Sequence, residues 1–147
     1  MSSKVLCALV RFAAVATAIC GVILCAFVFP SWFGELLPLL FFWVASLPCF
    51  VILIYVWLVS TAIARDAVFT LKTARWIRNA AVLLLADVGF FITGNVVLLA
   101  LKMNNAEVLL PAVLASIFGV SLALLAAVLS RYITKAAVLQ EDIEGTI

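Results

Sequence analysis

The sequence predicts an all-α, polytopic membrane protein: a bundle of four transmembrane helices with both termini on the cytoplasmic side. Hydrophobic residues make up 69% of its 147 residues and charged residues only 11%, whereas about a quarter of a soluble domain is charged. Four apolar blocks each reach the roughly 20 residues that one membrane crossing needs. All basic residues except Lys102 fall on one side of this arrangement, and the positive-inside rule makes that side the cytoplasm. We therefore expect a single membrane domain over residues 1–147.

The first span is expected at residues 12–29. A basic start followed by an apolar run also begins a secretory signal peptide, but this run is longer than a usual signal core and no A-x-A cleavage site follows it. Ala13, Thr17 and Gly21 recur every four residues. They place small side chains on one stripe of the helix, which is typical of a surface that packs against a neighbouring helix.

The second span is expected at residues 36–64, after a short loop marked by Pro30, Ser31 and Gly34. Because this stretch is longer than a straight crossing, we expect it to tilt in the bilayer. Pro48 removes one backbone hydrogen bond near its middle, so a kink is expected there.

The connection at residues 65–79 is the longest polar interruption of the chain. Thr70 can cap a helix that leads into the third span. The basic side chains of the connection set the topology and can contact anionic lipid at the inner face, at about 1 kcal/mol each. Docking of a cytosolic protein is the second interpretation. The residues expected to bind a partner or lipid are Arg65, Phe69, Thr70, Lys72, Arg75, Arg78, Glu141 and Asp142. Direct nucleic-acid binding is not expected, because separated basic residues in a membrane-tethered loop make no recognition element.

The third span, residues 80–101, contains the two most polar positions expected inside the membrane, Asp87 and Asn95. Asp87 lies roughly 5 Å from the middle of this span at 1.5 Å per residue, where an ionised carboxylate costs at least about 2.5 kcal/mol. It must therefore face the bundle or water. One hypothesis is a proton or cation site; the alternative is a protonated or hydrogen-bonded carboxyl that joins helices.

The fourth span is expected at residues 108–130, after a tight turn at 103–107. It carries small residues at strict four-residue spacing, which predict a second packing ridge. The residues of this ridge are Ala115, Gly119, Ala123 and Ala127. Residues 131–147 are then expected to form a cytoplasmic amphipathic helix that ends in an acidic tail.

The acidic tail and the basic connection are expected on the same side of the membrane. Glu141, Asp142 and Glu144 could therefore pair with Arg75 and Arg78. Exposed pairs contribute only about 0 to 1 kcal/mol each and are screened by salt. This predicts a weak electrostatic latch that a partner or lipid displaces.

No catalytic, cofactor-binding or metal-ligating residues are expected. The chain has no His, and its four Cys residues show no C-x-x-C spacing, so neither a zinc site nor a disulfide framework is indicated. No nucleophile and base pair, P-loop or dinucleotide motif is present. The sequence therefore favours a protein that is not an enzyme.

Two segments resemble the four-span bacterial proteins of the domain of unknown function 2975. One is DAVFTLKTARWIRNAA, in which Phe69, Thr70 and Arg75 match the family pattern. The other is the chain end AAVLQEDIEGTI, which departs from the commoner ending at residues 143–145. The matching residues of this ending are Glu141, Asp142, Thr146 and Ile147. The resemblance implies a bacterial inner-membrane protein paired with a cytosolic helix-turn-helix regulator of the Cro type.

Two functions are compatible with these observations. The first is a non-enzymatic sensor or anchor that binds a cytosolic regulator through the basic connection and the C-terminal segment. The alternative is a small oligomeric transporter or channel, with further copies of the chain as partners and Asp87 as its intramembrane polar site.

Overall fold

The computed structural model describes residues 2–145, and this part of the chain is helical with no strand. It has four helices that are long and apolar enough to cross a membrane. They are Ser3–Trp32, Leu36–Ala64, Leu71–Ala100 and Ala106–Ile143. The prediction of an all-helical chain with four helices of membrane-spanning length and composition is therefore confirmed for the described residues.

The first span consists of helix α1 (Ser3–Ile23), a π-helical turn (Leu24–Val28) and the short helix α2 (Phe29–Trp32). It begins earlier and ends later than the predicted 12–29. Ser2 caps α1 by accepting a hydrogen bond from the Val5 N–H at 3.3 Å. Pro30, which we expected in a loop, lies in α2, directly after the π-helical turn. Because proline has no N–H, one carbonyl of the preceding turn lacks its helical partner.

The second span is helix α3 (Leu36–Ala64), which runs unbroken through Pro48. It packs against α1 near Gly21, where a Cβ atom would lie 3.1 Å from Cζ of Phe50. Ala13 and Thr17, the other members of the predicted stripe, are exposed. The buried residues of α1 are instead Cys7 and Ala14.

Helix α4 (Leu71–Ala100) begins inside the polar connection, as predicted. Thr70 is the N-cap, as predicted, and accepts a hydrogen bond from the Thr73 N–H at 3.2 Å. At the other side of the connection α3 ends in a Schellman turn, in which the Ala67 N–H donates to the Ala62 carbonyl at 2.9 Å. Asp66 supplies the left-handed residue of this turn, with φ of 52°, and accepts a hydrogen bond from the Ser3 hydroxyl.

Helices α4 and α5 (Ala106–Gly145) pack against each other in antiparallel orientation along a heptad repeat. Buried residues recur at seven-residue intervals on both helices, the pattern of a left-handed coiled coil. On α4 they are Ala74, Ala81, Val88 and Asn95, and on α5 they are Ser116, Ala123, Ser130 and Ala137. We call these two rows the heptad seam.

The small size of the seam residues allows the two backbones to approach closely. A Cβ atom on Gly119 would lie 2.8 Å from Cγ2 of Val88. The Ser130 hydroxyl donates to the Ala74 carbonyl of α4 at 2.7 Å. In lipid, such close packing and interhelical hydrogen bonds are what hold helices together.

The four-residue ridge predicted for the fourth span coincides with this buried surface only at its centre. Gly119 and Ala123 are buried, whereas Ala115 and Ala127 are exposed on either side. Residues four apart rotate by about 40° around a helix at each step, so a long four-residue row leaves the contact that a heptad repeat follows.

Helix α5 continues beyond the predicted fourth span, residues 108–130, to Gly145. Ile133 and Ala137 are buried there, while Arg131 and Lys135 are exposed, as expected for an amphipathic segment. Leu139, which was expected on the apolar face, is also exposed. Thr146 and Ile147, matched in the family ending, lie outside the described residues.

The start of α1, the end of α3, the start of α4 and the last third of α5 lie at one end of the bundle. The contacts of Ser3 with Asp66 and of Ser130 with Ala74 establish this arrangement. We call this the basic end, because it carries Arg65, Lys72, Arg75 and Arg78.

Candidate functional site

Asp87 is the charged residue that α4 carries into the middle of the bundle. Its Oδ2 accepts a hydrogen bond from the Cys49 thiol of α3, with an S···O distance of 3.5 Å. Its Oδ1 is buried and has no hydrogen-bond partner. A buried oxygen without a partner is costly, so this atom marks a place where a proton, a water molecule or a cation is needed.

The carboxylate borders a cavity of about 230 Å³ that is partly open at the bundle surface. Each of the four spans contributes to its wall, through Phe29, Cys49, Asp87 and Ser116 respectively. The cavity is therefore a feature of the assembled bundle, and no single helix could reveal it.

A second, larger space of about 340 Å³ adjoins this cavity. The two share Phe29, Ser46, Cys49 and Leu84 as wall residues. Other parts of its wall come from Thr17, Gly21 and the π-helical turn of the first span, and it is partly open at the bundle surface. We call it the cleft.

The π-helical turn shapes the wall of the cleft. Such a turn widens the backbone ladder from i→i−4 to i→i−5 and frees carbonyl groups for other partners. The Cys25 carbonyl accepts a hydrogen bond from the Trp43 indole N–H of α3 at 2.8 Å. This bond holds the C-terminal part of the first span against α3.

The hydroxyl groups of the serine and threonine residues around the two spaces donate their hydrogen bonds to backbone carbonyls of their own helices. The Ser46 hydroxyl donates to the Phe42 carbonyl, and the Ser116 hydroxyl to the Ala112 carbonyl, both at 2.8 Å. Thr17 donates in the same way to Ala13 at 2.8 Å. Toward the two spaces these side chains can therefore only accept hydrogen bonds.

Asn95, the other polar residue expected inside the membrane, does not join Asp87. It is 2% exposed, donates to the Phe91 carbonyl at 2.8 Å, and accepts from the Asn104 amide of the loop after α4 at 3.0 Å. Its buried oxygen and nitrogen are both satisfied, so it anchors the loop between α4 and α5. The signal for this role is in the sequence, because the loop itself carries Asn104 and Asn105.

The residues expected to bind a partner or lipid divide into two groups. Thr70 is committed to capping α4, whereas Arg65, Phe69, Lys72, Arg75 and Arg78 are exposed. Arg75 and Arg78 also line a polar pocket of about 240 Å³ together with Ser130 and Thr134 of α5. The structure thus brings the two arginines together at the junction of α4 and α5.

Two residues of the acidic tail, Glu141 and Asp142, do not meet these arginines. Glu141 and Asp142 are exposed on α5, and neither forms an ion pair with a described residue. Glu141 lies seven residues beyond Thr134, which is about 10 Å along a helix. The predicted pairing is therefore not seen for Glu141 and Asp142, because α5 stays helical through this segment and carries them away from the arginines; the side chain of Glu144 lies outside the described part of the chain.

Arg11 has a role that the sequence did not indicate. Its guanidinium donates to the Ser60 and Thr61 hydroxyls of α3, both at 3.1 Å, and lies 4.8 Å from the centre of the Trp57 ring. These contacts join α1 to the end of α3. These hydroxyl partners lie 49 and 50 residues away from Arg11 in the sequence, so no local pattern predicts the contact.

The four cysteines, Cys7, Cys20, Cys25 and Cys49, are free thiols. In the part of the chain that the structure describes, no three His, Cys, Asp or Glu side chains come together as metal ligands.

A family model described as "Protein of unknown function (DUF2975)" matches residues 12–147. The match includes Asp87, the heptad seam and all basic residues except Lys4 and Arg11. No curated protein and no solved structure matched the chain.

Proposed function

This chain belongs to the DUF2975 family, and from that premise we propose a non-enzymatic anchor or sensor in a bacterial plasma membrane. Its basic end faces the cytoplasm, together with both termini, and binds a cytosolic regulator of the helix-turn-helix type. We infer the kind of regulator from the family resemblance, and the surface that would bind it from the exposed basic side chains.

The exposed positive charge at the basic end carries this proposal. Arg65, Lys72, Arg75 and Arg78 are joined there by Arg131 and Lys135 of α5, all of them exposed. No ion pair links them to a described acidic side chain. An uncompensated basic surface attracts acidic proteins and anionic lipid, and the positive-inside rule places it in the cytoplasm.

The C-terminal part of helix α5 forms one side of this basic surface. Ser130 is bonded to the first turns of α4, and α5 continues from there for 15 residues to Gly145, about 22 Å along a helix. The exposed Val138, Leu139 and Ile143 lie on this extension. A partner can therefore contact both charged and apolar side chains.

The test is co-purification of the full-length protein, cross-linked in its native host and then held in nanodiscs of neutral lipid. We expect a soluble helix-turn-helix protein to co-purify, and Arg75→Gln with Arg78→Gln to weaken its binding about tenfold, or about 1.4 kcal/mol. The difference should shrink as salt is raised. Lys102→Gln, at the opposite end of the bundle, is the matched control.

Neutral lipid separates the two kinds of partner. If the regulator binds in neutral nanodiscs, the arginines act on the protein itself. If binding requires anionic lipid, or if the double variant retains as much regulator as the wild type, the basic end is not the docking surface.

Asp87 favours a second candidate function, a small oligomeric transporter or channel. The observation behind it is the buried Oδ1 of Asp87, which has no hydrogen-bond partner, in a residue that borders the cavity. Ionisable residues inside a membrane commonly mark a substrate or ion pathway.

A further inference from the structure

We propose that the Asp87 cavity and the adjoining cleft together bind one amphipathic organic cation. Its protonated amine would lie against the Asp87 carboxylate and its apolar body in the cleft. This inference goes beyond the regulator-binding function, and it deepens the second candidate by naming the chemical class of its ligand. It concerns binding alone, so it stands whether or not the ligand crosses the membrane.

The hydrogen-bonding character of the cavity selects a donor. The polar atoms that can face a ligand are the Asp87 oxygens and the hydroxyl oxygens of Ser46 and Ser116, whose protons are committed to helix carbonyls. No basic side chain contributes to the wall. A group that only donates hydrogen bonds and carries positive charge satisfies all of these acceptors, whereas an anion satisfies none.

Aromatic rings favour the same ligand. Phe29, Phe42 and Phe91 belong to the wall of the cavity, and a cation is attracted to the face of an aromatic ring. An ammonium group that leaves water for this site would therefore exchange its hydration shell for a carboxylate, two hydroxyl oxygens and aromatic rings. A metal ion has no such match, because it prefers several carboxylate or carbonyl oxygens.

The volumes set the size of the ligand. The cavity of about 230 Å³ exceeds the roughly 150 Å³ that suffices for benzene in a protein interior. The cleft adds about 340 Å³ with an almost wholly apolar wall. A small amine group with an aromatic or short alkyl body fits these two spaces better than a bare ion.

The cleft also provides the route of entry. It is partly open at the bundle surface, and in a membrane protein this surface faces lipid. A ligand with an apolar body concentrates in the bilayer and can enter sideways, body and charge together.

The experiment compares a cation with its neutral isostere. Purified full-length protein in neutral nanodiscs is titrated with 4-phenylbutylamine and with 4-phenylbutanol by equilibrium dialysis, and binding to empty nanodiscs is subtracted. We expect the amine to bind the wild type at least about tenfold more tightly than the alcohol does, and Asp87→Asn to remove this preference. Equal binding of both compounds to the wild type, or an unchanged preference in Asp87→Asn, would overturn the proposal.

A second pair of variants tests whether the amine occupies the cavity if Asp87→Asn does not fold. Ala115 contributes to the cavity wall but is exposed beside the heptad seam, so Ala115→Leu should fill the cavity and keep the carboxylate. We expect it to weaken amine binding at least about tenfold. Ala127→Leu adds the same bulk to an exposed position of α5 away from the cavity and should leave binding unchanged. Equal affinities of these two variants would contradict the site.

Transport is a separate measurement on the same proteins. Uptake of the amine into proteoliposomes that is lost in Ala115→Leu would support the transporter. Binding without uptake would keep the ligand site and remove the transport function, and the regulator-binding test at the basic end would be unaffected by either result.

Discussion

Replacing Ala123 with Leu should separate α4 from α5 and cost the protein about 3 kcal/mol of its stability, at the upper end of the usual cost of overpacking. Ala123 is 0% exposed and lies in the heptad seam. Three additional carbon atoms cannot fit there without moving the backbones apart. The measurement is thermal unfolding in mild detergent, followed by circular dichroism and by the fraction of monodisperse protein.

Ala127→Leu is the matched control, because Ala127 lies four residues further along α5 and is exposed. It should unfold within a few degrees of the wild type, since the new side chain faces lipid. A ridge with four-residue spacing predicts equal damage from both variants, whereas the heptad seam predicts damage from Ala123→Leu alone. Equal tolerance of the two would show that α5 does not use this face to pack.

Gly94→Leu is the second change with a large expected effect. A Cβ atom at this position would fall on the ring of Phe41. That ring cannot easily yield, because its centroid lies 5.4 Å from that of Phe42 and 5.2 Å from that of Phe90. We expect a loss of about 2 to 3 kcal/mol in the same unfolding measurement.

Gly89 offers the control for this change on the same helix. Nothing lies within 4 Å of a Cβ atom built there, and Leu has a higher helix propensity than Gly. Gly89→Leu should therefore be neutral or slightly stabilising. If Gly94→Leu were equally harmless, the aromatic contact between α3 and α4 would not contribute to the fold.

The four spans and the cap of α4 can be predicted from the sequence, because each depends on a local signal. A span requires only a long apolar run, since water is absent from the bilayer core and the helix satisfies its own backbone. Thr70 likewise needs only its neighbour Thr73 to act as N-cap. Signals of this kind are complete within one segment.

The heptad seam requires a choice that a single helix does not make. Ala123 belongs both to the four-residue row and to the seven-residue repeat of α5. Packing against α4 favours the seven-residue repeat, because two long helices that supercoil around each other stay in contact only along such a repeat. The buried row on α4 shows the same repeat, so comparing both helices could have revealed the seam.

The environment of Asp87 illustrates the same limit. Its position in the third span is visible in the sequence, but its neighbours come from every other span. Asn95 lies about as far inside the predicted third span as Asp87, but its side-chain oxygen accepts a hydrogen bond from the loop residue Asn104. Sequence spacing therefore identified two polar residues without separating the one that anchors a loop from the one that faces a cavity.

The central claim is that the basic end faces the cytoplasm, because binding of a cytosolic regulator depends on it. Ala67 and Ala106 are exposed small residues at opposite ends of the bundle, and changing either to Cys alters no charge. Each is introduced into a background without the four native cysteines and labelled on intact cells with a membrane-impermeant maleimide. We predict that Ala106→Cys reacts at once and that Ala67→Cys reacts only after the cells are permeabilised. Labelling of Ala67→Cys on intact cells, with protection of Ala106→Cys, would contradict the orientation and exclude the cytosolic partner.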